Sequence, residues 1–181
     1  MSIDKELING YFNKHWQGGN DSFQYSNVKS ILERITDEDT VIDIGCGYNK
    51  FKPYLEERLY AIDPAIDCGD ELVDIESFDP KDRIWDIALC LGSINFGDEE
   101  VIKSQIKKTV SLLSHAGLII WRQNPGVADH NNEECKTVPF FNWTIEKNYQ
   151  YAEENGCEVI RCIEEYNDKG NMRIYAEWVK R

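Results

Sequence analysis

The sequence predicts an α/β domain: a doubly wound, mostly parallel sheet with helices on both faces and a C-terminal antiparallel hairpin. Three observations carry that prediction. Short apolar or β-branched runs alternate with segments of helical period. At least four such units follow one another without a repeat, a low-complexity tract or a Pro/Gly/Ser-rich linker. The chain then closes on two strand-like runs, 158–166 and 172–179, joined by the turn sequence Asn167-Asp168-Lys169-Gly170-Asn171.

The elements follow in order. Val28, Ile31, Leu32 and Ile35 stand at the i, i+3, i+4, i+7 spacing of an amphipathic helix, with Ser26 as its N-cap. Residues 40–44 form a short strand that breaks at Gly45-Cys46-Gly47 and turns into the next helix. A second strand over 59–62 ends at Asp63 and is stopped by Pro64, and a third over 71–73 ends at Asp74. Residues 84–91 are nearly all apolar, as a central strand covered on both faces must be. Ile102, Ile106, Val110 and Leu113 mark a helix that ends near Gly117, and 118–121 form another buried strand. A helix over 144–155, closed by Gly156, leads into the hairpin.

The 181 residues suffice for one buried core and are too few for two ordinary domains. No run of about 18 apolar residues is present, so no membrane span is expected. Residues 1–10 lack the basic start and apolar run of a secretory signal, so a cytoplasmic protein is expected. Cys46, Cys68, Cys90, Cys135, Cys157 and Cys162 form no CxxC pair, and His15, His115 and His130 lie far apart, none of them read as pairing with a nearby cysteine at ligand spacing. Reduced thiols and no metal site are therefore expected. A net charge of −13 repels a phosphate backbone and disfavours nucleic acid as partner. Lys103, Lys107 and Lys108 are either a local basic patch or one solvated helix face.

The chemistry of such a sheet sits at the carboxyl ends of its strands. There the segment Val41-Ile42-Asp43-Ile44-Gly45-Cys46-Gly47-Tyr48-Asn49 puts an acid near a strand end and two glycines in the turn, where a missing Cβ lets the backbone bend and a ligand approach. Asp63, at the end of the next strand, can accept from both hydroxyls of a ribose, or cap the turn before Pro64. Asp74-Ile75 can meet an adenine, or Asp74 can cap its own loop.

In this order, residues 43–49, Asp63, Asp74-Ile75 and 86–96 resemble the successive motifs of the class I S-adenosylmethionine-dependent methyltransferases, and the resemblance extends over nearly the whole chain. It implies a Rossmann-like, seven-stranded sheet, S-adenosylmethionine as cofactor and methyl transfer as the reaction. It implies cofactor contacts from Asp43, Gly45, Cys46, Gly47, Asp63, Pro64, Asp74, Ile75, Leu91, Gly92 and Ser93. Asn49 stands where the family often has a third glycine. The single domain then divides into an N-terminal helical segment or lid (1–38), a cofactor-binding half (39–123), and a substrate loop, helix and hairpin (124–181). Leu91 to Asn95 contains no proline, so the Pro-Pro-aromatic motif of amino-directed DNA methyltransferases is missing.

The acceptor pocket is expected from the loop after the fifth strand and from the N-terminal segment. Trp16, Asn95, Phe96, Arg122 and Asn124 are its candidate lining. His130, beside Asp129, is the candidate general base or else a surface histidine. Phe12, His15, Trp16, Phe23 and Tyr25, around Gly18-Gly19, form either an aromatic lid or the packing face of a helix. A small-molecule acceptor fits the charge best. The competing readings are a nucleoside-binding module without turnover, a nucleic-acid methyltransferase, and aminopropyl transfer, for which Ser93, Ile94 and Asn95 offer no acidic loop. A nicotinamide-dependent oxidoreductase fails the GxGxxG test at Lys50.

Overall fold

A computed structural model describes residues 4–16, 30–130 and 132–181. Seven strands form one sheet in the order β3-β2-β1-β4-β5-β7-β6. They are β1 (Val41–Ile44), β2 (Leu59–Asp63), β3 (Glu71–Leu72), β4 (Trp85–Leu91), β5 (Leu113–Gln123), β6 (Cys157–Tyr166) and β7 (Met172–Lys180). The first five pair in parallel; β7 lies antiparallel between β5 and β6. The predicted mostly parallel sheet with its closing hairpin is thus the observed one. The helices are α1 (Lys5–Lys14), α2 (Lys52–Leu55), α3 (Glu99–Ser111) and α4 (Ile145–Glu154).

Alternation along the central strands explains the two-sided core. Ala88 and Cys90 of β4, Ile119 and Trp121 of β5, and Ala176 and Trp178 of β7 face one layer, which Ile102 and Ile106 of α3 and Tyr151 of α4 cover. Leu89, Ile120 and Tyr175 face the other, beneath Ile31, Phe51 and Leu55. Helix starts follow ordinary capping: the side chains of Asp4, Asp98 and Thr144 accept from the backbone N–H of Leu7, Val101 and Lys147.

Two expectations are corrected. The amphipathic segment 28–35 is, over its described part, a 3₁₀ turn (Ile31–Arg34) with Ile35 extended. Burying Ile31 and Ile35 requires only that both side chains reach the core, and a single turn followed by extended chain does this. Arg34 is tied to the buried Glu177 of β7, which also accepts from the Tyr175 hydroxyl at 2.7 Å. Val28 and Ser26 lie outside the described residues. The helix after the glycine turn, α2, has only four residues: Pro53 lies in its first turn, and Glu56, with φ of 51°, ends it. The helix expected to run to Gly117 stops at Ser111, and Leu113 already pairs with Trp85. Residues 114–117 are an irregularity in β5, with Ala116 at φ 61° and no room for a Cβ on Gly117, where the Ser114 carbonyl would lie 2.9 Å away.

A buried amide pair joins the sheet to α4. Gln123 and Asn148 exchange side-chain hydrogen bonds at 3.0 and 2.7 Å, and the Trp178 indole N–H donates to Asn148 at 3.2 Å. Every polar group in that cluster needs the others, because none reaches water. Asn148→Leu keeps the volume but strands the Gln123 amide and the Trp178 N–H. It is expected to lower unfolding free energy by at least about 2 kcal/mol, read from urea denaturation; an unchanged midpoint would show that the network contributes nothing.

Candidate functional site

The carboxyl ends of β1, β2, β4 and β5 converge on a cavity of about 660 Å³. Its floor is the glycine turn. Gly45 has φ of 73°, and its N–H and that of Cys46 both donate to the Ile62 carbonyl, at 2.8 and 3.1 Å. A Cβ on Gly45 would lie 2.3 Å from the Ser93 Cβ, closer than two carbons can stand. Gly47, with φ of 53°, carries the Trp16 ring 3.2 Å from where its Cβ would be. Gly92, with φ of 112°, does the same for the Arg122 guanidinium at 2.8 Å, and Arg122 donates to the Leu91 carbonyl at 2.8 Å.

Asp63 holds this turn together. Its carboxylate accepts from the N–H of Gly47 at 2.9 Å and from those of Ala65 and Ile66 at 2.8 Å each. A carboxylate has about four acceptor positions, so these contacts leave roughly one for a ligand hydroxyl. The two-hydroxyl clasp considered from the sequence is therefore reduced to a single acceptor site in this arrangement. Asp43, one strand over, is buried. Burial first, then the Asp63 charge, pushes its carboxyl up to about 7. The Cys46 thiol is raised well above its ordinary value by burial and by the charges of Asp43 and Asp63, so it stays protonated and is no nucleophile.

Most of the residues singled out in the sequence meet on the cavity wall: Gly45, Cys46, Gly47, Asp63 and Pro64 on one side, Leu91, Gly92 and Ser93 on the next. Trp16, Asn95, Phe96, Arg122, Asn124 and His130 complete the set. Three do not reach it. Asp43 lies behind the turn. Asp74 accepts from the N–H of Glu76 and Ser77 at 3.0 Å and pairs with Lys5 of α1 at 3.3 Å, while Ile75 is buried in the core. Asn95 and Asn124 line the cavity and bond backbone, Asn95 through its amide oxygen and Asn124 through both ends of its amide. Asn95 accepts from the N–H of Asn124 at 2.9 Å, and Asn124 bonds both the N–H and the carbonyl of Val127. The Ser93 hydroxyl is buried without a hydrogen-bond partner among the described residues.

The roof is α1. Phe12, His15 and Trp16 of the expected aromatic lid line the cavity; Gly18, Gly19, Phe23 and Tyr25 lie outside the described residues. Phe12 packs on Phe96 at 5.2 Å, and Trp16 stacks on Tyr48 at 5.7 Å. His130 Nδ1 lies 2.7 Å from the Tyr11 hydroxyl, to which the Asn132 amide donates at 3.2 Å. Asp129 is not its partner: both Asp129 oxygens accept from Arg173 at 2.7 Å. Where Tyr11 donates, the neutral imidazole carries its proton on Nε2; where Tyr11 accepts, Nε2 is a base.

Sequence reasoning missed Tyr11, Asn132, Lys169 and Arg173. The hairpin turn was legible, but its reach into the cavity depends on β7 sitting beside β5. Among the described residues no group of three or more His, Cys, Asp or Glu could hold a metal, all six cysteines are free, and no helix is long and apolar enough to cross a membrane.

No family model and no curated protein matches the chain by sequence. Solved structures do. The 1,6-didemethyltoxoflavin-N1-methyltransferase of Burkholderia thailandensis, with its substrate and S-adenosylhomocysteine bound, superposes with a TM-score of 0.77 at 13% identity, over 99% of this chain and 91% of that one. Magnesium protoporphyrin IX methyltransferase of Synechocystis, with bound S-adenosylmethionine, gives 0.73 at 15% identity over 100% and 99%. The N-methyltransferase NodS of Bradyrhizobium japonicum, with S-adenosylhomocysteine, gives 0.69 at 13% identity over 98% and 99%. The chain has the methyltransferase fold. Within that fold, the strand order, the hairpin and the cavity over the glycine turn are the features described above.

The raised Asp43 carboxyl makes the methyltransferase fold pH-sensitive here. The folded state favours the protonated acid, so its contribution is full below an ordinary carboxyl value near 3.8 and is lost as pH rises through about 7. Asp43→Asn, which cannot ionise, is expected to be more stable than the native chain at pH 8 by about 2 to 4 kcal/mol and no more stable at pH 4. Urea unfolding of the ligand-free protein at both pH values checks this. An equal effect at both would show that ionisation is not the cause.

Proposed function

We propose that the chain is an S-adenosylmethionine-dependent methyltransferase acting on a small-molecule acceptor. The observation that carries the reading is the cavity itself: both turn glycines and Asp63 line one space at the carboxyl ends of four strands, and Gly45 has no room for a side chain. The residues present fit the cofactor. Gly45, Cys46 and Gly47 would lie along its methionine part. Asp63 has an acceptor site for a ribose hydroxyl, with Pro64 beside it. Ser93 brings a buried hydroxyl without a partner, and Leu91 and Gly92 adjoin it. Asp43 lies beneath the turn, and an ammonium group above it would favour its ionised form. The cavity wall at Ile8, Ala65 and Ile66 is apolar and suits the adenine, while Asp74 and Ile75 support that region from outside the wall.

When bound, S-adenosylmethionine supplies a methyl group made electrophilic by its sulfonium. The protein's task is alignment, which can supply roughly 7 to 11 kcal/mol of barrier reduction. Transfer to a heteroatom would release the acceptor's proton, which His130 Nε2 would accept, with Tyr11 holding the opposite ring nitrogen. Trp16, Asn95, Phe96, Arg122 and Asn124 shape the acceptor's side of the space. The roof formed by α1 and the net charge of −13 favour a small molecule over a polynucleotide. Six free cysteines support a reducing, cytoplasmic setting.

Calorimetric titration tests the reading. S-adenosylmethionine and S-adenosylhomocysteine should both bind, and NADH should not; absence of binding by the first two would end the proposal. Asp63→Ala should weaken S-adenosylhomocysteine at least about tenfold, because a charge-assisted hydrogen bond contributes about 1.5 to 3 kcal/mol. A folded variant with unchanged affinity would remove the ribose assignment.

A further inference from the structure

The place that a side chain on Gly47 would take is occupied by the indole of Trp16. Gly47 turns at φ 53°, and the ring carbons Cη2 and Cζ3 stand 3.2 and 3.3 Å from where its Cβ would be, tighter than most Cβ contacts in proteins. The ring is fixed from several sides. The Trp16 N–H donates to the Tyr11 carbonyl at 3.2 Å, which joins the residue to the end of α1; Tyr48 stacks on the ring at 5.7 Å with the planes 10° apart, and Phe12 meets it edge-on at 5.6 Å. The same indole lines the main cavity together with Gly45 and Cys46, and a smaller space of about 30 Å³ that Asp43 also borders. It is the one tryptophan of five that is not buried: Trp85, Trp121, Trp143 and Trp178 are at most 4% exposed, whereas Trp16 keeps open surface.

We infer that Trp16 is a cofactor-contact residue, its indole continuing the glycine turn as a wall for the methionine part of S-adenosylmethionine. The inference rests on the methyltransferase reading and adds to it a binding residue from the end of α1, one that borders the acceptor's side as well. A ligand chain that lies along residues 45–47 must pass this ring, because the ring stands where the side chain of residue 47 would. The methylene groups of such a chain gain a flat apolar partner there, and a ring already held by Tyr48 and Phe12 loses little freedom in providing it. Gly47 is on this account matched to the ring: any larger residue would displace the wall.

The test is acrylamide quenching of tryptophan fluorescence in the full chain, with and without saturating S-adenosylhomocysteine, whose binding is followed separately by calorimetry. With four indoles buried, the quenchable emission belongs to Trp16, and Trp16→Phe defines the level without it. Saturation should bring the quenching of the native chain down to that level. In calorimetry, Trp16→Ala should weaken S-adenosylhomocysteine about tenfold, while Trp16→Phe, which keeps a ring, should stay within about threefold of the native chain. Quenching that saturation leaves unchanged overturns the inference, and so does an unchanged affinity in a folded Trp16→Ala. The quenching comparison is made on the native chain, so it decides the matter even where Trp16→Ala does not fold. A native chain that binds no S-adenosylhomocysteine at all marks the failure of the methyltransferase reading rather than of the Trp16 assignment.

Discussion

Nothing larger than hydrogen can stand on the Cα of Gly45, because its Cβ would lie 2.3 Å from that of Ser93. The close approach follows from the sheet. β1 and β4 are parallel neighbours, so both chains leave the sheet at the same edge, side by side, and their first loop residues meet. Once Gly45 turns at positive φ, its N–H and that of Cys46 point back to the Ile62 carbonyl and fasten the end of β2 to the turn. The Gly47 N–H then reaches Asp63, and the Asp63 carboxylate gathers Ala65 and Ile66. One absent methyl group thus fixes three strand ends relative to one another, and the cavity is the space above them.

The same geometry crowds charge. Asp43 and Asp63 stand on paired strands, and the first is deprived of water, so its ionised form is disfavoured in the folded chain. A protein selected for stability alone would place an apolar residue there, as it does at Val41, Ile42 and Ile44. At the far end of the cavity Arg122 and Lys169 stand on the wall.

How much of this was legible in the sequence depended on whether a signal was local. The parallel pairing of the sheet follows from the alternation of strands with helices, and 84–91 announced itself as central because that run is nearly all apolar. The glycines, Asp63 and the strand end at Leu91 could be placed because a strand end is a sequence-local event. Boundaries set by tertiary contact could not. Leu113 has the spacing of a helix residue, but the sheet claims its backbone, and the excess chain is stored at Ala116 and Gly117. Asp129 and His130 are adjacent in sequence yet separate in the structure, because Arg173 arrives from β7, forty-four residues on. Asp74 read equally as ligand contact or loop cap; Lys5, from a helix nearly seventy residues earlier, decided what it touches.

That Lys5 contact bears on how the cavity is entered. Among the described residues α1 makes no backbone pairing with the sheet. Its contacts there include Lys5 to Asp74 and Glu76, Tyr11 to His130, Phe12 to Phe96, and Trp16 to Tyr48. Half-exposed ion pairs such as those of Lys5 contribute about 1 kcal/mol or less. The remainder is ring packing along one face, in which only Ile8 and Tyr11 are fully buried. By contrast, the floor cannot shift without breaking the Asp63 contacts and the pairing of β1 with β2. Tyr11 of that roof also holds the His130 ring, through its hydroxyl at Nδ1. Access to the cavity and the orientation of its imidazole are in this way properties of the same helix.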